Sequence, residues 1–315
     1  MTFKQEKIRT AVIGVGYLGK FHAQKYAHLP HSDFIAVVDI DHDSAHRTAQ
    51  EYGVLVFTDY HDLFGKVDAV SIVVPTEYHY QVTKDCLEAG IHVLLEKPIT
   101  PTLEQADDLI RIAKENKLIF QIGHLERFNA TTLALKEFID DPKFIESHRL
   151  AHFNPRGTDV SVILDLMIHD IDIILSIVNA PVKEIRANGE SVLTRDTDIA
   201  NARILFENDC VANVTASRIS MKIQRKMRIF QKDAYISVDF LKKKLSIFRK
   251  GTREAFPGIP EITSKVHYFD RSDAIMSEID SFLQIIITHG KPVVSGKEGR
   301  EALAVALQIS QLLKN

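Results

Sequence analysis

The sequence has no tryptophan and only two cysteines, Cys86 and Cys210, in 315 residues. Two distant cysteines make neither a disulfide framework nor the Cys/His spacing of a zinc site. Two free thiols in a reducing cytoplasm are the expectation. An excess of one charge is missing too: 39 Lys and Arg stand against 42 Asp and Glu, a net charge of −3. That balance speaks against bulk nucleic-acid binding and against attachment to a charged membrane surface. The densest basic run, Lys242 to Lys244, reads as a strand edge or hairpin, where lysines discourage edge-to-edge pairing. No apolar run is long enough to span a bilayer. The polar start, "MTFKQEKIRT", carries no signal-peptide pattern. Internal repeats and low-complexity segments are absent.

What is present is a long alternation. Up to about residue 124, short apolar runs ("RTAVIGVG", "DFIAVVDI", "DAVSIVVPT", "HVLLEKP", "LIFQIGHL") alternate with helical patterns. Such an alternation predicts a parallel sheet covered on both faces. After residue 124 the pattern changes. A helix over about 129–140, an extended run "FIESHRLAHFN" and one apolar helix lead into long strand-like segments. Ile204 and Phe206 stand two apart, with Val211 and Val214 on the next run, which suggests strands with one covered face, and "ENDC" reads as a hairpin turn. Helices at about 273–289 and 298–313 close the chain. The length suits two domains, with expected bounds 1–124 and 125–315. The second is expected to be α+β around a large, mostly antiparallel open sheet, whose open face is a candidate oligomer surface.

The first strand runs into "VIGVGYLGKFH", a G-x-G-x-x-G on Gly14, Gly16 and Gly19. Alone the pattern says little. Here it follows an apolar strand, opens a helix, and has Asp39 twenty residues past the last glycine, at the end of the second strand. That context defines a Rossmann dinucleotide-binding domain. Gly14 allows the tight turn, Gly16 the close approach of a pyrophosphate, and Gly19 the packing of helix on strand. Tyr17 and Leu18 lie in the same loop. Free N–H groups and the helix dipole attract phosphate. Asp39 can bind ribose hydroxyls and would repel a 2′-phosphate, and no arginine follows it at once. NAD is therefore expected rather than NADP; nothing in the second half suggests a flavin.

In "SVILDLMIHDIDIILSIV", Asp165, His169, Asp172 and Ser176 fall four, three and four apart. At 100° per residue they share one narrow stripe of an apolar helix. The stripe is either the solvent face or the lining of a cleft. Asp170 is the one charge off it.

"HVLLEKPIT" puts Glu96, Lys97 and Pro98 at the C-terminal end of a parallel strand, where open α/β sheets bind ligands. The glycine fingerprint, "VVPTEYHY", "EKPIT" and a downstream Asp-x-x-x-His helix together resemble the glucose–fructose oxidoreductase / inositol dehydrogenase / rhizopine-catabolism (Gfo/Idh/MocA) family over essentially the whole chain. The resemblance implies a catalytic set of Lys97, Asp165 and His169, a cis bond before Pro98, and NAD(P)-dependent oxidation or reduction of a sugar or cyclitol carbon. It further implies that Pro75, Thr76, His79, Glu96 and Lys97 lie along the cofactor. Family members include oligomers built through the second sheet, and a few that bind nucleotide as regulators. Many members have glycine pairs before the Asp/His helix. This chain has "RGTDVSVILDLMIHDID", with "GHLERFN" upstream, a version similar to the branch that oxidises C3 of UDP-N-acetylglucosamine for a partner aminotransferase in lipid A synthesis.

In the chemistry so implied, His169 takes the hydroxyl proton, Asp165 orients the imidazole, and Lys97 steadies the developing alkoxide. Lys97 as the base is the alternative. A metal on Asp165 and His169 would lack a third ligand, so none is expected. Arg127 and Arg156 can meet a substrate pyrophosphate or simply form ion pairs. Asp172 can touch substrate or be structural. His124 reads best as structural, and His79 either meets the cofactor or caps a helix. The alternatives in function are a dehydrogenase of a free cyclitol or sugar, and a non-catalytic NAD-binding regulator. A homodimer or homotetramer is expected, with no nucleic acid and no membrane.

Overall fold

The computed structural model describes residues 7–154, 160–270 and 272–314. Its elements are β1 (Ile8–Ile13), α1 (Gly19–His28), β2 (Ser32–Val38), α2 (His42–Tyr52), β3 (Leu55–Phe57), β4 (Ala69–Ile72), α3 (Thr76–Glu88), β5 (His92–Glu96), α4 (Leu103–Glu115) and β6 (Phe120–Gly123). Then follow α5 (Ala130–Leu135), β7 (Pro142–Leu150), a π-helical turn (Ile163–Met167), α6 (Ile168–Val178), β8 (Val182–Glu190), β9 (Ile199–Phe206), β10 (Val211–Ser217), β11 (Gln224–Gln231), β12 (Ala234–Asp239), β13 (Lys244–Phe256), β14 (Ile259–Tyr268), α7 (Ala274–Thr288) and α8 (Gly296–Leu312). Both cysteines are free and buried. No helix among the described residues is long and apolar enough to cross a membrane.

The chain forms two compact units. The first holds residues 1–128 and 273–301, the second 129–272 and 302–315. In the first, six parallel strands run in the order β3-β2-β1-β4-β5-β6. This is the doubly wound order whose reversal, between β1 and β4, opens a ligand crevice at the strands' C-terminal ends. β1, β4 and β5 carry four consecutive buried residues each, as a strand covered on both faces requires. Helix α7 returns to this unit from near the C-terminus. Ile279, Phe282, Leu283 and Ile286 join Val12, Tyr26, Val37 and Leu94 in one core.

The second unit is an eight-stranded sheet in the order β14-β13-β12-β11-β7-β10-β9-β8. Every pairing is antiparallel except β7 with β10. The period of two in β9 and β10 places Ala200, Ala202, Ile204, Ala212, Val214 and Ala216 inward, in one core with Ile168, Ile171, Ile174 and Ile177 of α6. Small residues on that sheet face let a helix of large isoleucines lie close. The "ENDC" turn forms, with Asp209 left-handed at φ +62°. The helix expected over 129–140 stops at Leu135. Gln231 explains the early end: its amide donates to the Phe138 carbonyl and its side-chain oxygen accepts from the Asp140 N–H.

One loop of this unit hangs on a single carboxylate. Asp198 is fully buried and accepts from the N–H groups of Val192 (2.9 Å), Leu193 (2.6 Å) and Thr194 (2.9 Å) and from the Thr194 hydroxyl (2.8 Å). Burial alone would raise its pKa, but those bonds outweigh it and hold the carboxyl at about 2. A carboxyl depressed on folding stabilises above its unfolded pKa and loses that contribution as pH falls through the folded value. Asp198→Asn is therefore expected to cost about 2 kcal/mol near neutral pH, measured by urea unfolding. The gap between variant and parent should narrow as pH falls below about 4 and close below about pH 2; a gap unchanged in acid would mean that shape, not charge, holds the loop.

Candidate active site

In the first unit the glycine loop is built as its sequence suggests. Gly14 has φ +89°, and a Cβ there would stand 2.5 Å from the Val73 carbonyl oxygen. A Cβ on Gly19 would stand 1.9 Å from the Gly14 carbonyl oxygen. Both positions exclude a side chain for internal reasons. Gly16 differs: a Cβ there meets no atom within 4 Å. Its bareness serves nothing inside the fold and leaves room for an external group. Helix α1 begins with no side-chain cap and no acid in its first turn, whereas Asp41 caps α2 and Thr102 caps α4. The Lys20 and Phe21 N–H groups turn back onto the Gly16 and Leu18 carbonyls, so the helix dipole and the bare Gly16 are what a phosphate would meet. Asp39 stands at the end of β2, where its Oδ2 accepts from the Val15 N–H (2.8 Å) and its Oδ1 from the Asp41 N–H (2.9 Å). Those bonds fix the carboxylate beside the loop, and each oxygen keeps acceptor capacity for a ribose hydroxyl. These residues fit a dinucleotide.

Tyr17 is exposed and meets Phe21 edge-on at 5.7 Å; Leu18 is half-buried at the start of α1. Pro75 precedes α3, and Thr76 is its first residue. His79 is buried, with Nδ1 2.7 Å from the Pro98 carbonyl oxygen and Nε2 2.9 Å from that of Val74. Burial pushes its pKa below the ordinary value, and a neutral ring donates to one of the two carbonyls. It ties the entry of α3 to the turn after β5. In that turn the Lys97–Pro98 bond is cis. Lys97 is half-buried, while Glu96 turns inward: its Oε1 lies 3.2 Å from Nε2 of His22, and its Oε2 accepts from the Lys97 N–H at 3.3 Å. His124, at the end of β6, is buried. Arg127 is also buried, and one of its nitrogens donates to the Val293 carbonyl at 3.5 Å.

In the second unit Asp165 and His169 are both half-buried, Asp172 is buried, and Ser176 is half-buried with its hydroxyl on the Ile173 carbonyl. The regular 100° stripe does not extend to Asp165. Residues Ile163–Met167 form a π-helical turn, closed by the Ile168 N–H on the Ile163 carbonyl. An i→i+5 closure inserts an extra residue per turn, a feature frequent at functional sites. Of the four striped residues Asp172 is buried and the other three are half-buried, so the stripe is not a fully exposed face. Arg156 lies outside the described residues.

Sequence reasoning passed over two features. Asp170, the charge off the stripe, is buried and paired with Arg149. His22, three residues past Gly19, and Glu278 of α7 are buried beside Glu96. A legible signal existed for Glu278: it occupies the apolar register Ile275–Glu278–Phe282 of α7, where an acid is out of place.

The fold and loop define a Rossmann oxidoreductase that uses NAD. Residues 8–124 match the NAD-binding Rossmann fold of the GFO/IDH/MocA oxidoreductase family, and residues 135–237 its C-terminal domain. The chain belongs to that family. It is 41% identical over 303 residues, 96% of each chain, to the UDP-N-acetylglucosamine 3-dehydrogenase of Acidithiobacillus ferrooxidans. A solved structure of that enzyme superposes with a TM-score of 0.93 at 40% identity, covering 98% of both chains. The scyllo-inositol dehydrogenase of Lactobacillus casei, solved with NAD(H) and scyllo-inositol, superposes with a TM-score of 0.83 at 22% identity over 98% of this chain and 97% of that one, a likeness of fold.

Proposed function

We propose that this chain oxidises the C3 hydroxyl of UDP-N-acetylglucosamine to the 3-keto sugar. The observation that carries the reading is similarity at 41% identity along nearly the whole of both chains to an enzyme of that name. The presence here of Lys97, Asp165 and His169 in the family's motifs agrees with it. NAD, when bound by Gly14, Gly16, Gly19 and Asp39, supplies the acceptor for the hydride. His169 takes the hydroxyl proton, as an imidazole can near neutral pH. Asp165, four residues earlier, orients that ring and favours its charged form. The Lys97 ammonium stabilises negative charge as it grows on the oxygen. Asp172, three residues past His169 within α6, is assigned to substrate. Arg156 is the proposed partner for the UDP pyrophosphate; Arg127, turned toward the Val293 carbonyl, is the less available of the two.

The product ketone suits a partner aminotransferase, and we place the reaction in the cytoplasm, in the supply of a 3-amino sugar for lipid A. The aromatic row Phe144, Phe230, Tyr235 and Phe248, with ring centroids 5.9, 4.9 and 5.3 Å apart, lines one face of the second sheet. We assign that face to a homodimer or homotetramer contact. The experiment is NADH formation by purified protein with NAD and a panel of UDP-sugars and free inositols, with an aminotransferase present to draw off the ketone. Turnover with UDP-N-acetylglucosamine is the expected result. Turnover confined to an inositol would replace the substrate while keeping the catalytic set. NAD binding without any turnover would leave a regulator.

A further inference from the structure

Behind Lys97 lies a set of ionisable groups that the proposed reaction does not use. His22 of α1, Glu96 of β5 and Glu278 of α7 are 1%, 8% and 0% exposed, and one ligand-type atom from each lies within 4.8 Å of the others. Several polar groups surround Glu278, and the buried Glu126 and Arg127 lie on the turn 125–128 that packs against α7. His22 Nδ1 is bonded to the Ser71 hydroxyl (3.0 Å), and its Nε2 meets Glu96 at 3.2 Å. The Tyr26 hydroxyl is bonded to the same Ser71 hydroxyl (2.9 Å). Gln121 of β6 spends its amide on the Glu278 backbone carbonyl (3.3 Å). Neither carboxyl oxygen of Glu278 has a hydrogen-bond partner.

Charge counting limits what this cluster can be. Two carboxylates side by side in so buried a space would carry an excess of negative charge within the triad, which is costly to hold. One more proton removes the excess. Two carboxyls sharing a site cannot both ionise readily, so one keeps its proton. Glu96 has His22 beside it and the Lys97 N–H upon it, while Glu278 has neither. Burial first, and then the charge of Glu96, push the Glu278 carboxyl well above the usual range.

We propose that Glu278 is a neutral carboxylic acid whose proton faces Glu96, within 4.8 Å of it, and that it is thereby a positioning residue for Lys97. The chain of contacts is short. Glu96 is held on one side by His22 and on another by Gly123, where a Cβ would stand 3.0 Å from the Glu96 carboxyl carbon. The proton from Glu278 fixes the remaining direction. The carboxylate so fixed accepts from the Lys97 N–H and sets the backbone from which the ammonium projects. Positioning of this kind acts on kcat, because a displacement of about 1 Å at a reacting group can cost about 100-fold. The inference rests on the reading of Lys97 given above for its catalytic consequence, but not for the protonation state.

Two arms test it on the full-length protein. The first is infrared difference spectroscopy of the parent against Glu278→Gln near neutral pH. A protonated-carboxyl band present in the parent, lost in Glu278→Gln and shifted in Glu96→Gln is expected. No such band, or one equivalent of a transition metal in the purified protein by elemental analysis, overturns the proposal in favour of an ionised pair or a His–Glu–Glu metal centre. The second arm is kinetic, with whichever sugar the parent oxidises. Glu278→Gln, which keeps a donor, should stay within a few-fold of the parent. Glu278→Leu should lose about 10- to 100-fold in kcat with the KM for NAD nearly unchanged. Equal kcat in a folded Glu278→Leu, or a loss in Glu278→Gln as deep as in Glu278→Leu, removes the positioning role. A parent inactive on every sugar would fail the functional reading alone, since the infrared band decides the protonation independently.

Discussion

Lys97→Ala and His169→Ala should each lower kcat by about 10²- to 10⁴-fold, the usual share of one acid–base or charge-stabilising group. NAD affinity should change little in His169→Ala, because the glycine loop and Asp39 are untouched; in Lys97→Ala it should fall modestly, since Lys97 is also expected along the cofactor. The two substitutions should not add. If both act on one hydroxyl, as proposed, they work as a unit, and the double variant should be about as slow as the worse single one. The pH–rate profile separates their roles. Whichever residue is the base gives the profile its acidic limb, since the base must be deprotonated to act. If that limb vanishes in His169→Ala and survives in Lys97→Ala, the imidazole takes the proton; the reverse result transfers the role to the lysine. Lys97→Arg should not rescue, because a planar guanidinium spreads its charge over three nitrogens and places it elsewhere than a compact ammonium. Full activity in both alanine variants would remove this catalytic set.

The first unit was the more legible half of the chain, for a physical reason. A parallel sheet buried on both faces writes continuous apolar runs into the sequence, and a phosphate-binding turn demands glycine where no side chain fits. Gly14 and Gly19 are dictated by contacts under 3 Å, so their positions speak directly. The antiparallel sheet was legible through its alternation, because one face is covered and the other is not. Four things were not legible. Asp165 falls on a π-helical turn, and no residue pattern distinguishes that turn from a regular one. The early end of α5 depends on Gln231, 93 positions from the carbonyl it caps. The return of α7 to the first unit is likewise a long-range choice, since its apolar face would suit either core. Buried charges were the hardest. His22 and Glu278 are distant in sequence and meaningful only once α1 and α7 lie on the same sheet.

The same blindness applied to Asp170, and its removal should give the largest loss of stability. Arg149 of β7 reaches it through two parallel bonds, Nη2 to Oδ1 at 2.8 Å and Nε to Oδ2 at 3.2 Å, with side chains 3% and 2% exposed. The Phe240 ring lies 6.0 Å from the guanidinium carbon. The bidentate geometry suits arginine and not lysine. Arg149→Met leaves a carboxylate sealed in an apolar core, and Asp170→Leu leaves a guanidinium there. Each should cost about 3–5 kcal/mol, a large fraction of the whole stability of a domain. The charge itself is not what the fold needs. The double variant Arg149→Met with Asp170→Leu removes both desolvated groups and should regain most of the loss, since apolar pairs of similar volume often do as well. Urea midpoints of the parent, both single variants and the double variant close the cycle. If the double variant is as unstable as the singles, the pair holds α6 by geometry that an apolar core cannot replace. In that case His169, next in sequence to Asp170, should lose activity in the double variant even where the protein still folds. Restored stability with unimpaired kcat would confine the pair to packing.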